Sequence, residues 1–548
     1  MSEPFYAPRF AIRVSGLTMA ADVTDQVLRL SVETDLDLAG TFSLTMRNPD
    51  NNVLDSALFD LGKTVEIHLG YGDELVPAFL GEVAGIEPSF PSDGPPVLQV
   101  SGYDRSYRLR RSYPEPVSYT YANDSLLAAR IAVEHGLIPV VDPTAGFEET
   151  VSQSESDMAF LKRRARQYHF DVFVEWDRLH FQFPRPQTAA HVLEWGRNLS
   201  SFEPRISSAG LAGVQVVRGY NQELAQTVYG VAAALDFDVD NLEEKLGGAA
   251  LDLLGTMVRK GIADEPVSNP LKAAEFAKAL LDDLLDGMYE GTGSCIGVPT
   301  LAAGQHVVIQ GVGKRFGGTY RLRKVSHRID DSGFRTDFTV GQSGHSSLMG
   351  VLRGQLIDEP PPDGSRRIDG VVVGTVVDND ETKAGPTVIP LGRVKVRYPG
   401  LTGDKLISRW APCARPMAGS GMGFYALPER DEQVLVAFEQ GDLDRPVVLG
   451  SLWHAGSRPP LTNVDGGNNK RALRSRAGHM ITFDDTGGTG KLTVEAKGGS
   501  SVTLDAADGS ITINAKGDLT LKAAGKVSIE AAQSKTKIIM TGDGVDVT

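Results

Sequence analysis

The chain has 548 residues, enough for about three or four domains with a core each. Its net charge of −15 argues against a nucleic-acid binder that works by neutralising phosphates. No apolar run approaches the roughly eighteen residues of a membrane span, and residues 1–13 lack a basic region followed by an apolar core, so no signal peptide is expected.

Apolar content of 41% with 23% charged residues is ordinary for a soluble protein, and sixty glycines with few aromatics lean towards β structure with tight turns. Cys295 and Cys413 lie far apart and read as reduced, packed thiols. Residues 9–14, 26–32, 40–46, 65–69, 79–86 and 97–103 alternate apolar and polar positions between turn signals, which predicts six strands of a barrel or sandwich. Asn123, Asp124 and Ser125 offer caps for a helix over 126–135, with Gly136 suited to its left-handed exit. A second helix is predicted over 156–168, with Met158, Leu161 and Ala165 on one face and Lys162, Arg163, Arg164 and Arg166 elsewhere around it. A hairpin over 170–183 follows, turning at 176–178.

Residues 214–219 and 226–231 read as a strand pair. The stretch 231–290 then holds thirteen acidic and five basic residues, the pattern of a solvated helical face, with a helix over 270–288 packing through Leu281, Leu284, Leu285 and Met288. Strands return at 306–310, 319–329 and 335–340. A proline-rich break at 358–364 precedes a β module over 369–453, with strands at 370–377, 393–398, 406–410, 423–427, 433–439 and 446–452. That number in so short a span fits a small OB-type barrel.

The end of the chain, 500–548, carries apolar i, i+2 pairs: Val502/Leu504, Ile511/Ile513, Leu519/Leu521 and Val527/Ile529. Gly509, Gly517 and Gly525 stand eight residues apart between them. Short half-buried strands with one apolar face each cannot enclose a dry core alone, so the segment is expected to join a multi-chain needle; a plain antiparallel meander within one chain is the alternative. Lys516, Lys522, Lys526, Lys535 and Lys537, against six acidic residues over 505–546, suit a solvated outer face.

Several runs are similar to a known family. GRVKVRYP at 392–399, SRWAP at 408–412, AGSGMG at 418–423, PERDEQVLVAFEQGD at 428–442 and RPVVLG at 445–450 resemble the OB-fold module of VgrG-type spike proteins. RSRAGHMITFDD at 474–485 resembles the start of that family's triple-stranded β-helix. ESDMAFL at 155–161 and GGTYRLRKVSH at 317–327 look like the hub shared with phage late-control and tail-hub proteins.

The resemblance implies a mainly β protein with an α+β insert: two hub β-barrels, an OB-fold barrel and a C-terminal triple-stranded β-helix formed by a homotrimer. The expected domains are hub barrel 1 at 1–115, the insert at 116–210, hub barrel 2 with the acidic helical region at 211–350, a linker at 351–368, the OB fold at 369–455, a linker at 456–472 and the needle at 473–548. Two similar barrels in each of three chains would offer six platforms to a six-fold tube. Val502, Leu504, Ile511, Ile513, Leu519, Leu521, Val527 and Ile529 are expected inside the needle, and Ile538, Met540, Val545 and Val547 against a PAAR-type tip protein. The implied partners are an inner tube protein above the hub, baseplate proteins, effector cargo and, on firing, the target membrane. Assembly is expected in the cytoplasm, within an extracellular or cell-associated phage tail-like particle. With no insert after the OB module and no domain after the needle, the chain is most similar to spikes of extracellular contractile injection systems, with a type VI secretion spike as the alternative.

Motifs for chemistry are weak. Residues 311–318, GVGKRFGG, lack the spacing and the Ser or Thr of a phosphate loop and join two strands. The histidines form no H-x-x-x-H pair or Cys/His cluster, so packed or surface roles are expected, with no metal, cofactor or catalytic residue. Asp282/Asp283 and Asp484/Asp485 are sequence neighbours without a defined cleft. A β-solenoid polysaccharide-degrading enzyme and a single-strand nucleic-acid binder using Tyr398, Trp410, Phe424, Tyr425 and Phe438 are the competing readings.

Overall fold

Alternation in the first part of the chain does produce antiparallel strands, and their ladder continues into residues some 300 positions away. The computed structural model describes residues 7–112, 114–144, 146–184, 191–206, 214–221, 226–233, 260–264, 269–286, 289–341, 368, 370–384, 389–401 and 406–525. The protein is mainly β with few helices, and it divides into two units, Met1–Leu452 and Trp453–Thr548.

The first unit is built on a 13-stranded sheet. Strands Pro8–Val14, Thr64–Tyr71, Glu74–Ser89, Val97–Asp104, Thr41–Arg47 and Val27–Asp35 run side by side, and Val27–Asp35 pairs with Gly318–Asp330. Beyond it lie Gly333–Val340, Tyr289–Ile296 and Leu199–Ile206, with His306–Gln310 and His191–Glu194 branching from Gly318–Asp330. One ladder therefore joins what the sequence divides into two barrels. Two apolar cores lie along it: one around Leu30, Phe42, Met46, Ile67 and Val100, the other around Leu193, Val307, Leu322, Val325 and Phe338. Ile329 and Phe334 belong to the first core although they come from the second group of strands, so hydrogen bonding and side-chain packing both cross the join.

Residues 191–206, read with the insert, supply strands to this sheet instead. Residues 214–233, read with the second barrel, form a separate sheet. Val214–Asn221 pairs with Gln226–Ala233 as expected and also, in parallel, with Lys260–Asp264. Helix Pro270–Asp286 packs on it through Ala273, Phe276 and Ala277 against Val217 and Val228. Of its expected packing residues Leu281 is buried; the side chains of Leu284, Leu285 and Met288 lie outside the described residues.

The insert holds helices Asp124–Glu134 and Asp157–Arg166. The Asn123 side chain accepts the Leu126 N–H, Ser156 caps the second helix through the Ala159 N–H, and Gly136 leaves the first helix at φ +67. Met158, Leu161 and Ala165 are buried with Leu127, Ile131, Phe160 and Phe181. Arg164, placed by periodicity away from that face, is also buried, because carboxylates wait for it there (below).

Residues 368–452 form a four-stranded sheet, Lys395–Arg397, Val371–Asp378, Gln433–Phe438 and Pro446–Leu452, around Val376, Val396, Tyr398, Val434 and Val436. Two expected strands fail here. Residues 406–410 contribute isolated bridges such as Arg397–Ile407, and 423–427 form no strand beyond Met422–Gly423. Gly423 sits at φ +151 and Pro428 lacks a donor, so the alternation of this stretch does not become a ladder. In the second unit, Lys470–Arg474, Met480–Asp484, Lys491–Glu495, Ser501–Asp505 and Ile511–Asn514 form a five-stranded antiparallel meander.

His327 shows how the sheet treats a polar core residue. Its ring is buried between the Leu301 carbonyl, 2.8 Å from Nε2, and Thr336 Oγ1, 3.0 Å from Nδ1. Nε2–H donates and Nδ1 accepts, so the pair of bonds fits the neutral ring. Burial pushes its pKa down to about 4. An unfolded histidine takes a proton below pH ~6.5 while the folded one refuses it until about 4, so stability should fall with acidification across that window, by up to about 3 kcal/mol. Denaturant titrations at a series of pH values should reveal this slope, and His327→Gln should flatten it.

Candidate assembly surfaces

The tail meander has a register that sorts its residues by face. One column of directly opposed residues runs Leu473, Ile481, Val494, Val502, Ile513; beside it runs Phe483, Leu492, Leu504, Ile511. Both columns lie on the same face, since residues two apart on a strand point the same way. The opposite face carries Ala472 and the threonine ladder Thr482, Thr493, Thr503, Thr512. Alongside it Lys470 faces Asp484 at 3.6 Å and Lys491 faces Asp505 at 2.8 Å.

Nothing among the described residues of the second unit covers the apolar face: Ile511 is 68% exposed and Ile513 55%, with Leu473, Phe483, Val494 and Leu504 also exposed. Single-chain pairing is thus the meander, yet the sheet remains open on its greasy side. At roughly 25 cal/mol per Å² of apolar surface, such a face is a strong drive to associate.

Of the expected needle residues, Val502, Leu504, Ile511 and Ile513 are brought together on this face. Leu519 and Leu521 are not in a strand; they lie in the chain following Ile511–Asn514, 59% and 64% exposed. Val527, Ile529, Ile538, Met540, Val545 and Val547 lie outside the described residues. Leu473, Ile481, Phe483, Leu492 and Val494 belong to the same face and were missed. The same i, i+2 alternation over 471–495 was the signal that could have found them.

In the first unit, charged groups join the insert to its neighbours. Arg164 Nε donates to Asp124 Oδ1 at 2.5 Å and its Nη2 to Glu148 Oε1 at 2.6 Å, while Tyr168 Oη donates to Asp124 Oδ2 at 2.8 Å. Lys272, from helix Pro270–Asp286, reaches the same Glu148. Burial alone would raise Glu148, but Arg164 and Lys272 overcome it and hold its carboxyl down at about 2. His169 pairs with Asp283 of that helix at 2.6 Å, and Asp37, in the bend after strand Val27–Asp35, collects Arg323 and Lys162. The carboxylate pairs noted in the sequence are thus structural: Asp283 holds His169, Asp484 faces Lys470 and Asp485 meets Arg471 at 2.5 Å.

The insert meets the 368–452 module at two points. Ser118 Oγ donates to the Ile407 carbonyl at 2.6 Å, and the Ser152 N–H donates to Asp444 Oδ1 at 2.9 Å. The 311–318 loop joins two strands, with no helix at its end to point at a phosphate. Among the described residues no group of three or more His, Cys, Asp or Glu is arranged to hold a metal ion, and no helix is long and apolar enough to cross a membrane.

Residues 8–331, more than half the chain, match the family model described as the Alg8 N-terminal domain. The chain belongs to that family. Residues 372–453 match a second model, the type VI secretion system/phage-baseplate injector OB domain. The actin cross-linking toxin VgrG1 of Vibrio cholerae is 25% identical over 262 residues, covering 46% of this chain and 23% of that protein. The type VI secretion system spike protein VgrG2a of Pseudomonas aeruginosa is 31% identical over 168 residues, 28% of this chain and 20% of that protein. The chain therefore spans about a quarter or less of the length of these curated relatives. Among solved structures, the lidded PdpA-VgrG complex of Francisella aligns with a TM-score of 0.55 at 9% identity, over 92% of this chain and 79% of that one, a likeness of fold. The resemblance to VgrG-type spike proteins read from the motifs is borne out.

Within the family's matched span sits the whole ionic junction of the insert, while Asp444 is supplied by the OB-domain match. Burial raises the Asp444 carboxyl and Asp442 beside it adds to the effect, with Arg163 and Arg164 opposing; the result is a pKa pushed up to about 7. The folded state then favours the neutral acid. Its stabilisation is complete below the unfolded value near 4 and is lost as pH rises through about 7, opposite in sign to His327. Asp444→Asn keeps an oxygen for the Ser152 N–H and should remove that slope, gaining on the order of 1–4 kcal/mol at pH 8. Chemical denaturation at pH 5 and pH 8 distinguishes the cases: a variant less stable than the parent at pH 8 would mean that the carboxylate is the favoured form.

Proposed function

We propose that the protein is the structural central spike and hub of a contractile injection system, joining an inner tube to a puncturing tip, and that it works without catalysis. The observation that carries this is the open apolar face of the tail meander, in a chain related to VgrG-type spike proteins. Three such faces turned inward would bury both columns, with Val502, Leu504, Ile511 and Ile513 in the dry interior and the threonine and Lys/Asp rows outside. The homotrimer would thus form the triple-stranded β-helix, continued by Leu519, Leu521, Val527 and Ile529. A PAAR-type tip protein would sit on Ile538, Met540, Val545 and Val547.

In this reading the two cores of the 13-stranded sheet are two barrel-like platforms, so three chains present six to the tube. The domain limits of the sequence analysis, apart from the placing of 191–206 and 214–233, belong to the same proposal, as do the baseplate contacts, the cargo and the assignment to an extracellular particle. A type VI secretion spike is the second reading, favoured by the names of the Vibrio and Pseudomonas relatives.

Light scattering of the purified protein should give three times the 58.8 kDa chain mass. Ile513→Asp would put a carboxylate into the interior from each chain, a cost of several kcal/mol apiece, and should shift the mass towards one chain. A parent of single-chain mass, or a variant that stays fully trimeric, overturns the trimeric needle.

A further inference from the structure

A cavity of about 390 Å³ opens between strand Val214–Asn221 and the 368–452 module. Arg393, Arg409, Arg445, Trp410, Glu439 and Tyr220 are among its walls, three guanidiniums against one carboxylate. We propose that this cavity binds carboxylate side chains of an acidic peptide segment from a partner protein, a role independent of the needle.

Each wall residue is held for a physical reason. Arg393 is fixed by buried Glu381, whose carboxylate also accepts the Leu391 and Arg393 N–H groups at 2.8 and 3.2 Å. Arg445 lies 3.5 Å from Glu439. Arg409 has no carboxylate partner among the described residues, and it is close enough to Arg445 to disfavour that group's charge. Trp410 is 3% exposed and supplies an aromatic wall, its indole N–H buried and without a hydrogen-bond partner among the described residues. The Lys395 ammonium lies 5.2 Å from the centroid of its ring, adding positive potential behind it.

Guanidinium forks match carboxylates bidentately, and a cavity of this size takes one or two side chains.

The test uses the full-length protein and calorimetric titration at moderate salt. The probes are acetylated, amidated tetraglutamate, the matching tetraglutamine, and inorganic phosphate. Tetraglutamate should bind and tetraglutamine should not. Arg409→Gln should weaken tetraglutamate by about tenfold or more, with Arg409→Lys between it and the parent. Arg430→Gln, at an exposed arginine of the same module, should leave binding unchanged, and thermal midpoints confirm that the variants fold. The proposal is overturned if tetraglutamate fails to bind, if Arg409→Gln binds it as well as the parent, or if Arg430→Gln costs as much as Arg409→Gln. It is equally overturned if phosphate binds as tightly as tetraglutamate with the same dependence on Arg409.

Discussion

A five-stranded sheet with one apolar face cannot finish its own burial, and this constraint governs the tail. The three inner strands of this sheet are paired on both sides and the outer two on one, so the ladder within the sheet is complete. What is missing is a second layer. A sheet stabilised only by its ladder is marginal in water, and the packing of one face supplies most of its stability. The two columns from Leu473 to Ile513 and from Phe483 to Ile511 are therefore half of a core, and the geometry calls for an apolar partner of the same width.

The first unit meets the same constraint in the opposite way. Its 13-stranded sheet is covered on its own chain by two cores, the first of which takes Ile329 and Phe334 from the second group of strands. Beside that apolar body, Arg164 with Asp124 and Glu148 ties the insert together, while Lys272 with Glu148 and His169 with Asp283 attach it to helix Pro270–Asp286. Buried ion pairs of this kind add little net stability over apolar replacements, but losing one partner strands a charge. They fix which surfaces meet. The first unit is thus held in register by paired charges around a covered apolar body, while the described tail sheet leaves its apolar face exposed.

The parts legible in sequence were those where one local rule decided the outcome. The capping Asn123 and the exit at Gly136 are set by side chain and backbone within a few residues, and the tail pairs Val502/Leu504 and Ile511/Ile513 by strict alternation. The turn at Gly509, φ +72, follows from the same local logic. Legibility failed where a distant partner decided. Arg164 belongs on the polar side of its helix by periodicity, and only the carboxylates of Asp124 and Glu148, 40 and 16 residues away, make its burial affordable. Residues 191–206 follow the insert in the chain, yet their partners are the strands at 289–310. Residues 424–427 alternate like a strand but follow a glycine with positive φ, and the cavity beside Trp410 joins segments nearly 200 residues apart.

The tail sheet is also asymmetric at its edges. Its first strand, Lys470–Arg474, carries Lys470, Arg471 and Arg474, and charged side chains on an edge strand discourage further pairing. Its last described strand, Ile511–Asn514, reads Ile-Thr-Ile-Asn and carries no charge. An uncharged edge with alternating β-branched residues is a template on which strands can add. In the sequence after that strand the pairs Leu519/Leu521 and Val527/Ile529 repeat the apolar i, i+2 spacing, preceded by Gly517 and Gly525 respectively. Among the described residues the two edges of this sheet thus differ in charge, cationic on the first strand and neutral on the last, an asymmetry written in the sequence of the two strands themselves.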